Sequence, residues 1–413
     1  MRNKTKKIQI INEKVMIATI DIGMTKNTGY WRYNNISIKP FEFANNADGF
    51  KRFWQKIWTA KIINRADNVI IGFEPTGSYE QPLIHYLINK PVKLVQINPT
   101  HTKRVKELND NSPLKTDKKD PEVIADIIQL GHYLSLVVPK GSSAQLRNLV
   151  NSRESTIKNR TMSINRLHRS VYMIFPEFLE VMKTVSSKSS MYLLKHYSTP
   201  FDIINLGLES LACCLRKTSR GRFSIEHAER LYNAANNSVG IKEGVDSIVM
   251  GIQQIIKEIS LFNDFINEIE TKMNHYLKEI PESQYILSIK GIGEVTTAGI
   301  IGEVGDFNDF HNQRAIIKLA GLNLYEVSSG DQKGIRHISK RGRSLLRKIL
   351  FFASLNVVRK NGIMHEYYHR LIDNGMIKKK ALIAVSRKLL KLIFSLARKK
   401  RYYIHNYEMK SVA

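Results

Sequence analysis

Residues 15–23 read V-M-I-A-T-I-D-I-G. An apolar run rich in β-branched residues and closed by glycine fits a strand buried on both faces of a sheet. One carboxylate, Asp21, stands at its end. An aspartate there is costly unless a metal ion or a hydrogen-bond network satisfies it. The reading of the N-terminal region therefore turns on what surrounds Asp21.

Two strand-like segments follow, N-T-G-Y-W-R-Y and S-I-K-P-F-E-F-A, in the pattern of a meander. From Asp48 to Ile62, Phe50, Phe53, Trp54, Ile57 and Trp58 fall at helical spacing, with Asp48 as the expected N-cap. This aromatic stripe reads as a helix packed on the sheet. A second buried strand, N-V-I-I-G-F, ends on Glu74 and turns at P-T-G; V-K-L-V-Q-I-N-P (92–99) is a third. Carboxylates at the ends of neighbouring strands repel unless a divalent cation screens them. That is the logic of metal-assisted phosphoryl transfer. Further oxygen ligands are expected in K-T-D-K-K-D-P-E-V-I-A-D-I-I (115–128). Asp117 and Asp120 are three apart and share a face at a helix start, and Pro121 suits a first turn. Glu122 and Asp126 are weaker candidates. Taken alone, the segment reads equally well as a solvated lysine-rich loop.

Lysine and arginine outnumber acids 64 to 37, for a formal charge of +27, and hydrophobic residues make up 43% of the 413. The chain is long enough for two or three domains. A cationic surplus of this size is the footprint of a nucleic-acid binder. The two cysteines, Cys213 and Cys214, are adjacent, which excludes a disulfide framework or a cysteine-based zinc site and fits a reducing cytosol. They read as packing residues. No apolar run approaches the roughly 18 residues of a membrane span, so a cytoplasmic, nucleoid-associated protein is expected.

D-I-G, E-P-T-G, K-T-D-x-x-D and I-A-D, in this order, resemble the RuvC-like DEDD domain of the Piv-invertase-related insertion-sequence transposases. Some members of that family are bridge-RNA-guided recombinases. The resemblance implies an RNase H-like α/β fold over residues 1–140, with Asp21, Glu74, Asp117 and Asp120 holding Mg²⁺, or alternatively Mn²⁺. Pro121 departs from the family's usual alanine but preserves a helix start.

Residues 141–280 read as a helical coiled-coil spacer. Leu146, Leu149/Val150, Ile157, Ile164, Leu167, Val171 and Ile174 recur at heptad-like spacing, and so do Val245 through Met273. Two such helices around a small helical insert suggest an antiparallel or intermolecular coiled coil, and hence a dimer or tetramer. The basic positions of the first helix, Arg147 to Arg169, could track a phosphate backbone or simply face solvent.

The third region, 281–413, is expected to be mainly helical. I-L-S-I-K-G-I-G-E-V (286–295) has the form of a helix-hairpin-helix whose Gly291 and Gly293 leave backbone amides open to a phosphate. A glycine turn that only packs is as good a reading. Next, A-G-L-N-L-Y-E-V-S-S-G (320–330) leads into a cationic stretch with Arg336, Lys340, Arg341, Arg343 and Arg347. By composition this is an ordinary loop. However, G-L-x-x-x-x-x-S-S-G followed by I-S-K-x-G-x-x-x-x-R resembles the C-terminal domain of the same transposases. Lys290 and Leu324 stand where that family usually has proline. The resemblance implies that Ser329, directly before the glycine, is the nucleophile, with Ser328 the alternative. It also implies donor and target DNA and a structured non-coding guide RNA as partners.

The sequence thus points to an insertion-sequence recombinase. Two rival readings are a hydrolytic Holliday-junction nuclease that uses only the metal site, and a non-catalytic nucleic-acid-binding protein on the same fold.

Overall fold

In the computed structural model the described residues are 14–75, 77–110, 120–326 and 336–404. They divide into two units, within Met1–Val137 and Val138–Ala413. The protein is mixed α/β and mostly helical.

The first unit is built on the opening strand. β1 (Val15–Ile22) pairs antiparallel with β2 (Lys26–Tyr33). β3 (Ile36–Ser37) and β4 (Phe41–Ala44) both pair with β2. After α1 (Ala47–Ile63), β5 (Asn68–Phe73) lies parallel to β1. α2 (Gln81–Leu87) leads to β6 (Lys93–Gln96), parallel to β5. α3 (Pro99–Asp110) and α4 (Asp120–Gln129) precede β7 (Leu134–Ser135), which closes the order β3-β2-β1-β5-β6-β7.

Period-two alternation divides β1 between two helices. Its odd residues Val15 and Ile17 share a core with Ile70 of β5 and Val123, Ile124, Ile127 and Ile128 of α4. On the opposite face α1 buries Phe50, Phe53, Ile57 and Ala60, and Phe53 stacks on Phe43 at 4.8 Å. Gly29 makes room there, since a Cβ would lie 2.9 Å from the Phe41 ring and 3.1 Å from Phe53. Only part of the aromatic stripe of α1 therefore enters the core. Its N-cap is Asn46, whose side chain accepts the Gly49 N–H at 2.9 Å, and not Asp48, which instead lies in the first turn.

The second unit is organised by two long helices, α5 (Gly141–Ile174) and, beyond the insert, α11 (Val245–Lys278). They pair within the chain. Arg153 meets Glu270 at 2.7 Å, Arg160 donates to Asn263 at 2.8 Å and Arg166 meets Glu258 at 3.0 Å. Ascending positions on one helix meet descending positions on the other, so the pair is antiparallel. The heptad pattern is used internally and does not by itself call for a second chain. These three arginines face α11, where their sequence pattern had suggested a phosphate-tracking face.

The insert comprises α6 (Pro176–Val181), α7 (Lys188–His196), α8 (Pro200–Leu206), α9 (Leu208–Ser219) and α10 (Ile225–Asn236). Phe175, Phe178, Leu193, Leu194, Leu211, Leu215 and Leu231 form its core with Leu167 of α5 and Ile252 of α11. Cys213 is exposed and does not pack as its apolar setting suggested; Cys214 is half-buried.

The remaining elements are α12 (Glu282–Leu287), α13 (Glu294–Val304), α14 (Gln313–Leu319), β8 (Leu324–Glu326), β9 (Arg336–Ile338), α15 (Ser344–Val357), α16 (His365–Asp373) and α17 (Lys378–Lys399). α13 is buried from Thr297 to Val304. Its glycines set the helix approaches. A Cβ on Gly302 would lie 2.8 Å from the Arg147 backbone nitrogen, and one on Gly299 would lie 2.6 Å from Ile349 Cδ1.

Candidate functional site

The strand register brings two of the four acids to one sheet edge. β1 and β5 are aligned as far as Ile20 opposite Phe73; Asp21 is the next residue of β1, and Glu74 is the residue just past the end of β5. By strand alternation Asp21 lies on the α4 face, and Glu74 follows the β5 residues of that same face. Asp21 continues the series Val15, Ile17, Thr19, while Glu74 continues Ile70 and Gly72. Gly72 lets α4 sit close, since a Cβ there would meet Ile128 Cδ1 at 2.2 Å. The start of α4 is tied to β1 by Thr19, fully buried, whose Oγ1 donates to the Pro121 carbonyl at 2.6 Å. Asp120, the first residue of that helix, is therefore held beside the strand that carries Asp21. Asp21, Glu74 and Asp120 are each half-buried. The positive end of the α4 dipole favours acids at this position.

Asp117 lies outside the described residues. Among the described residues, no three His, Cys, Asp or Glu side chains form a ready metal-binding group. The donor chemistry nevertheless fits a hard divalent cation, because Asp21, Glu74 and Asp120 are all carboxylates. The two weaker candidates have other roles. Asp126 accepts from Arg32 Nη1 at 2.7 Å, opposite the middle of β1, and Glu122 is exposed.

Two residues that the sequence reading passed over brace the turn after Asp21. The Gly23 N–H donates to Asn27 Oδ1 at 3.2 Å, and Asn27 Nδ2 donates to Asn45 Oδ1 at 3.2 Å. Asn45 Nδ2 donates to the Gly23 carbonyl at 3.1 Å and the Tyr79 carbonyl at 3.4 Å. The loop after Asp21 is thereby fastened to the loop after Glu74. The signal available in sequence was an asparagine inside a strand, where Asn27 is 1% exposed.

In the second unit, α12 and α13 flank the glycine turn. Gly291 has φ +95°, which a side chain would strain. Gly293 is different. It is the extended N-cap of α13 with φ −97°, and a Cβ there would meet nothing within 4 Å. Neither backbone conformation nor internal packing requires glycine at that position.

Ser328 and Ser329 lie outside the described residues, between β8 and β9. These strands pair antiparallel as far as Glu326 opposite Arg336, whose side chains form an ion pair at 2.8 Å. The base of the hairpin is locked. Ser339 Oγ donates to Asn323 Oδ1 at 2.5 Å, Ser339 N–H to the Asn323 carbonyl at 2.9 Å, and Lys340 N–H to the Gly321 carbonyl at 3.0 Å.

The five cations expected to meet nucleic acid separate into two groups. Arg336, Lys340 and Arg341 are exposed. Arg347 and Arg343 turn inward instead: Arg347 Nη1 donates to the Ala320 carbonyl at 3.0 Å, and Arg343 Nη1 donates to the Glu303 carbonyl. Burial, with the neighbouring Arg147 charge, pushes the Arg343 guanidinium down to about 10, opposed by Glu303. The inward pair braces the start of α15, because a buried guanidinium is held by the acceptors already around it.

Comparison with known proteins defines the class. Residues 19–176 match a transposase model, the DEDD transposase domain of IS110-type elements, and residues 283–369 match the model described as "Transposase IS116/IS110/IS902 family". An uncharacterized 44.8 kDa protein of insertion element IS116 from Streptomyces clavuligerus is 23% identical over 291 residues, 70% of this chain and 72% of its own. An uncharacterized 42 kDa protein of insertion element IS900 from Mycobacterium paratuberculosis is 24% identical over 291 residues, 70% of this chain and 73% of its own. The transposase for insertion sequence element IS1111A from Coxiella burnetii is 27% identical over 146 residues, 34% of this chain and 40% of its own. These matches identify the domains of an insertion-sequence transposase. Its two matched segments are the domains of the IS110/IS116/IS902 family, a family of DNA-processing enzymes whose DEDD domain implies a divalent metal. Among the described residues no helix is long and apolar enough to cross a membrane.

Proposed function

We propose that this transposase is a site-directed DNA recombinase of the Piv-invertase-related type that cleaves and rejoins DNA through Ser329, with Ser328 as the alternative nucleophile. The observation that supports the reading is the parallel register of β1 and β5, which end beside one another at Asp21 and Glu74, with the helix that begins at Asp120 tied to β1. In this reading the first unit is an RNase H-like domain over residues 1–140. Residues 141–280 are the spacer and 281–413 the serine domain. Asp21, Glu74, Asp117 and Asp120 would hold Mg²⁺ or Mn²⁺. When bound, the metal supplies neutralisation of phosphate charge and makes a nearby hydroxyl easier to ionise.

The residues of the chain perform a transesterification. Ser329 Oγ attacks phosphorus, the bond from phosphorus to the 3′-oxygen breaks, and the serine proton passes to that leaving oxygen. The result is a 5′-phosphoserine link and a free 3′-hydroxyl. A 3′-hydroxyl from the partner strand then attacks the same phosphorus and releases the serine, which regains a proton.

Arg336, Lys340 and Arg341, with Gly291 and Gly293 at the turn before α13, contact donor and target DNA. A structured non-coding RNA reads sequence by base pairing while the protein reads backbone. The working assembly is a dimer or tetramer, acting in the cytoplasm at the nucleoid. Exposed Met162 (55%), Leu261 (66%) and Phe265 (43%) on the two long helices support an assembly.

The test is Ser329→Ala, assayed for strand cleavage and for a protein–DNA adduct resistant to denaturation. Both are expected to vanish, with Ser328→Ala retaining them. Adduct-free cleavage by Ser329→Ala at the wild-type rate would overturn the covalent mechanism and leave a hydrolytic nuclease.

A further inference from the structure

The tryptophans of α1 have a setting that neither the core nor the catalytic reading uses. The helix buries Phe50, Phe53, Ile57 and Ala60, while Trp54 and Trp58 lie on its flank and are only half-buried. Their rings stack on each other at 5.0 Å between centroids, with 25° between planes. The Lys61 ammonium lies 5.0 Å from the Trp58 ring, and the Lys90 ammonium lies 5.3 Å from both Trp54 and Tyr86. Along the helix, Lys51, Trp54, Trp58 and Lys61 follow a three-four-three spacing, so the ring pair is flanked by cations at both ends. From Gly49 to Ala66 the sequence has five cations and no acid.

We propose that this flank of α1 is a binding platform for single-stranded nucleic acid. Stacked indoles with cations at their edges combine the two forces that hold a single strand, base stacking and phosphate attraction. A ligand of this kind exchanges places with the lysines. A base takes the indole face, and the displaced ammonium groups of Lys61 and Lys90 move to the adjoining phosphates. Each lysine keeps an electrostatic partner through the exchange, since a phosphate replaces the ring quadrupole. An uncharged or basic peptide would gain the apolar contact but leave this surplus of cations unmatched, and an acidic peptide would match the charge but bring no planar base to each indole. A duplex keeps its base faces stacked internally and has none to offer the indoles. The platform does not depend on the serine or the metal site.

The full-length chain is titrated with fluorescein-labelled oligo(dT), oligo(U) and a mixed-sequence duplex, each of about a dozen nucleotides. Trp31 is buried, so saturable quenching of tryptophan emission by the single strands reports on Trp54 and Trp58. Trp54→Leu/Trp58→Leu keeps apolar cover but removes the π faces, and is expected to weaken single-strand binding about tenfold or more with duplex affinity unchanged. Trp54→Phe/Trp58→Phe is expected to retain most of the affinity, with circular dichroism and melting temperature confirming the fold of both variants. Tighter binding of oligo(U) or of oligo(dT) identifies the natural strand as RNA or DNA. The proposal is overturned if the leucine pair binds single strands as the wild type does, or if it loses single-strand and duplex affinity equally.

Discussion

Asp120 and Asp126 lie on the same helix, six residues apart, yet their surroundings differ. Asp120 begins α4 beside β1, where the Thr19 bond to Pro121 fixes the helix start. Asp126 lies further along and is bonded to Arg32, whose side chain is only 19% exposed. Asp126→Asn is expected to cost about 1 kcal/mol, the low end for a charge-assisted hydrogen bond because the aspartate is itself partly solvated. Its strand-cleavage activity at low temperature should stay near wild type. Asp120→Asn should show the converse, with cleavage lost and the melting temperature held or raised as a repelling carboxylate is removed. Thermal melts and cleavage assays on the two variants separate the roles. Sequence showed three aspartates and a glutamate in one segment, and only the tertiary structure showed that Asp126 among them pairs with Arg32.

At the scale of elements, α13 shows how one glycine-rich run serves two purposes. Gly299 and Gly302 face α15 and α5, where a methyl group has no space, whereas Gly293 caps the helix against open space. Gly302→Ala is expected to destabilise the fold by about 2–3 kcal/mol, because the obstructing atoms are backbone and cannot rotate away. Gly293→Ala should cost less than about 1 kcal/mol, the ordinary difference between these residues at an N-cap. Its effect should fall on DNA affinity, measured by fluorescence anisotropy. Equal loss of stability in both variants would refute this division. The two helices around the glycine turn were legible from glycine spacing and apolar periodicity, but both signals are blind to which glycine faces a neighbour.

Across the whole molecule, the surplus of +27 makes a steep salt dependence the first expectation for DNA binding. Each cation that neutralises a phosphate contributes about one unit to the slope of log affinity against log salt. Lys340→Gln/Arg341→Gln is therefore expected to flatten the slope by about two units. Arg343→Gln should leave the slope unchanged and lower the melting temperature, because it deprives buried Glu303 (5% exposed) of its neighbouring cation. A slope that changed equally in both would show that exposure does not govern these contacts. The two long helices carry a related lesson. Their heptads fitted pairing within one chain or between two, and the bonds Arg153–Glu270 and Arg166–Glu258 select the first.

The sequence by itself determined the strands that end on Asp21 and Glu74, the long amphipathic helices and the net charge, because periodicity and composition are local properties of the chain. It also carried the motifs of both transposase segments. Tertiary structure alone brought the ends of β1 and β5 at Asp21 and Glu74 side by side, since that depends on the parallel register of the two strands across a stretch that includes α1. It alone turned Arg343 and Arg347 inward while leaving Lys340 and Arg341 exposed, and it alone put Trp54 and Trp58 outside a core that their spacing had joined. Burial is set by what packs opposite a residue, and a linear pattern does not contain that neighbour.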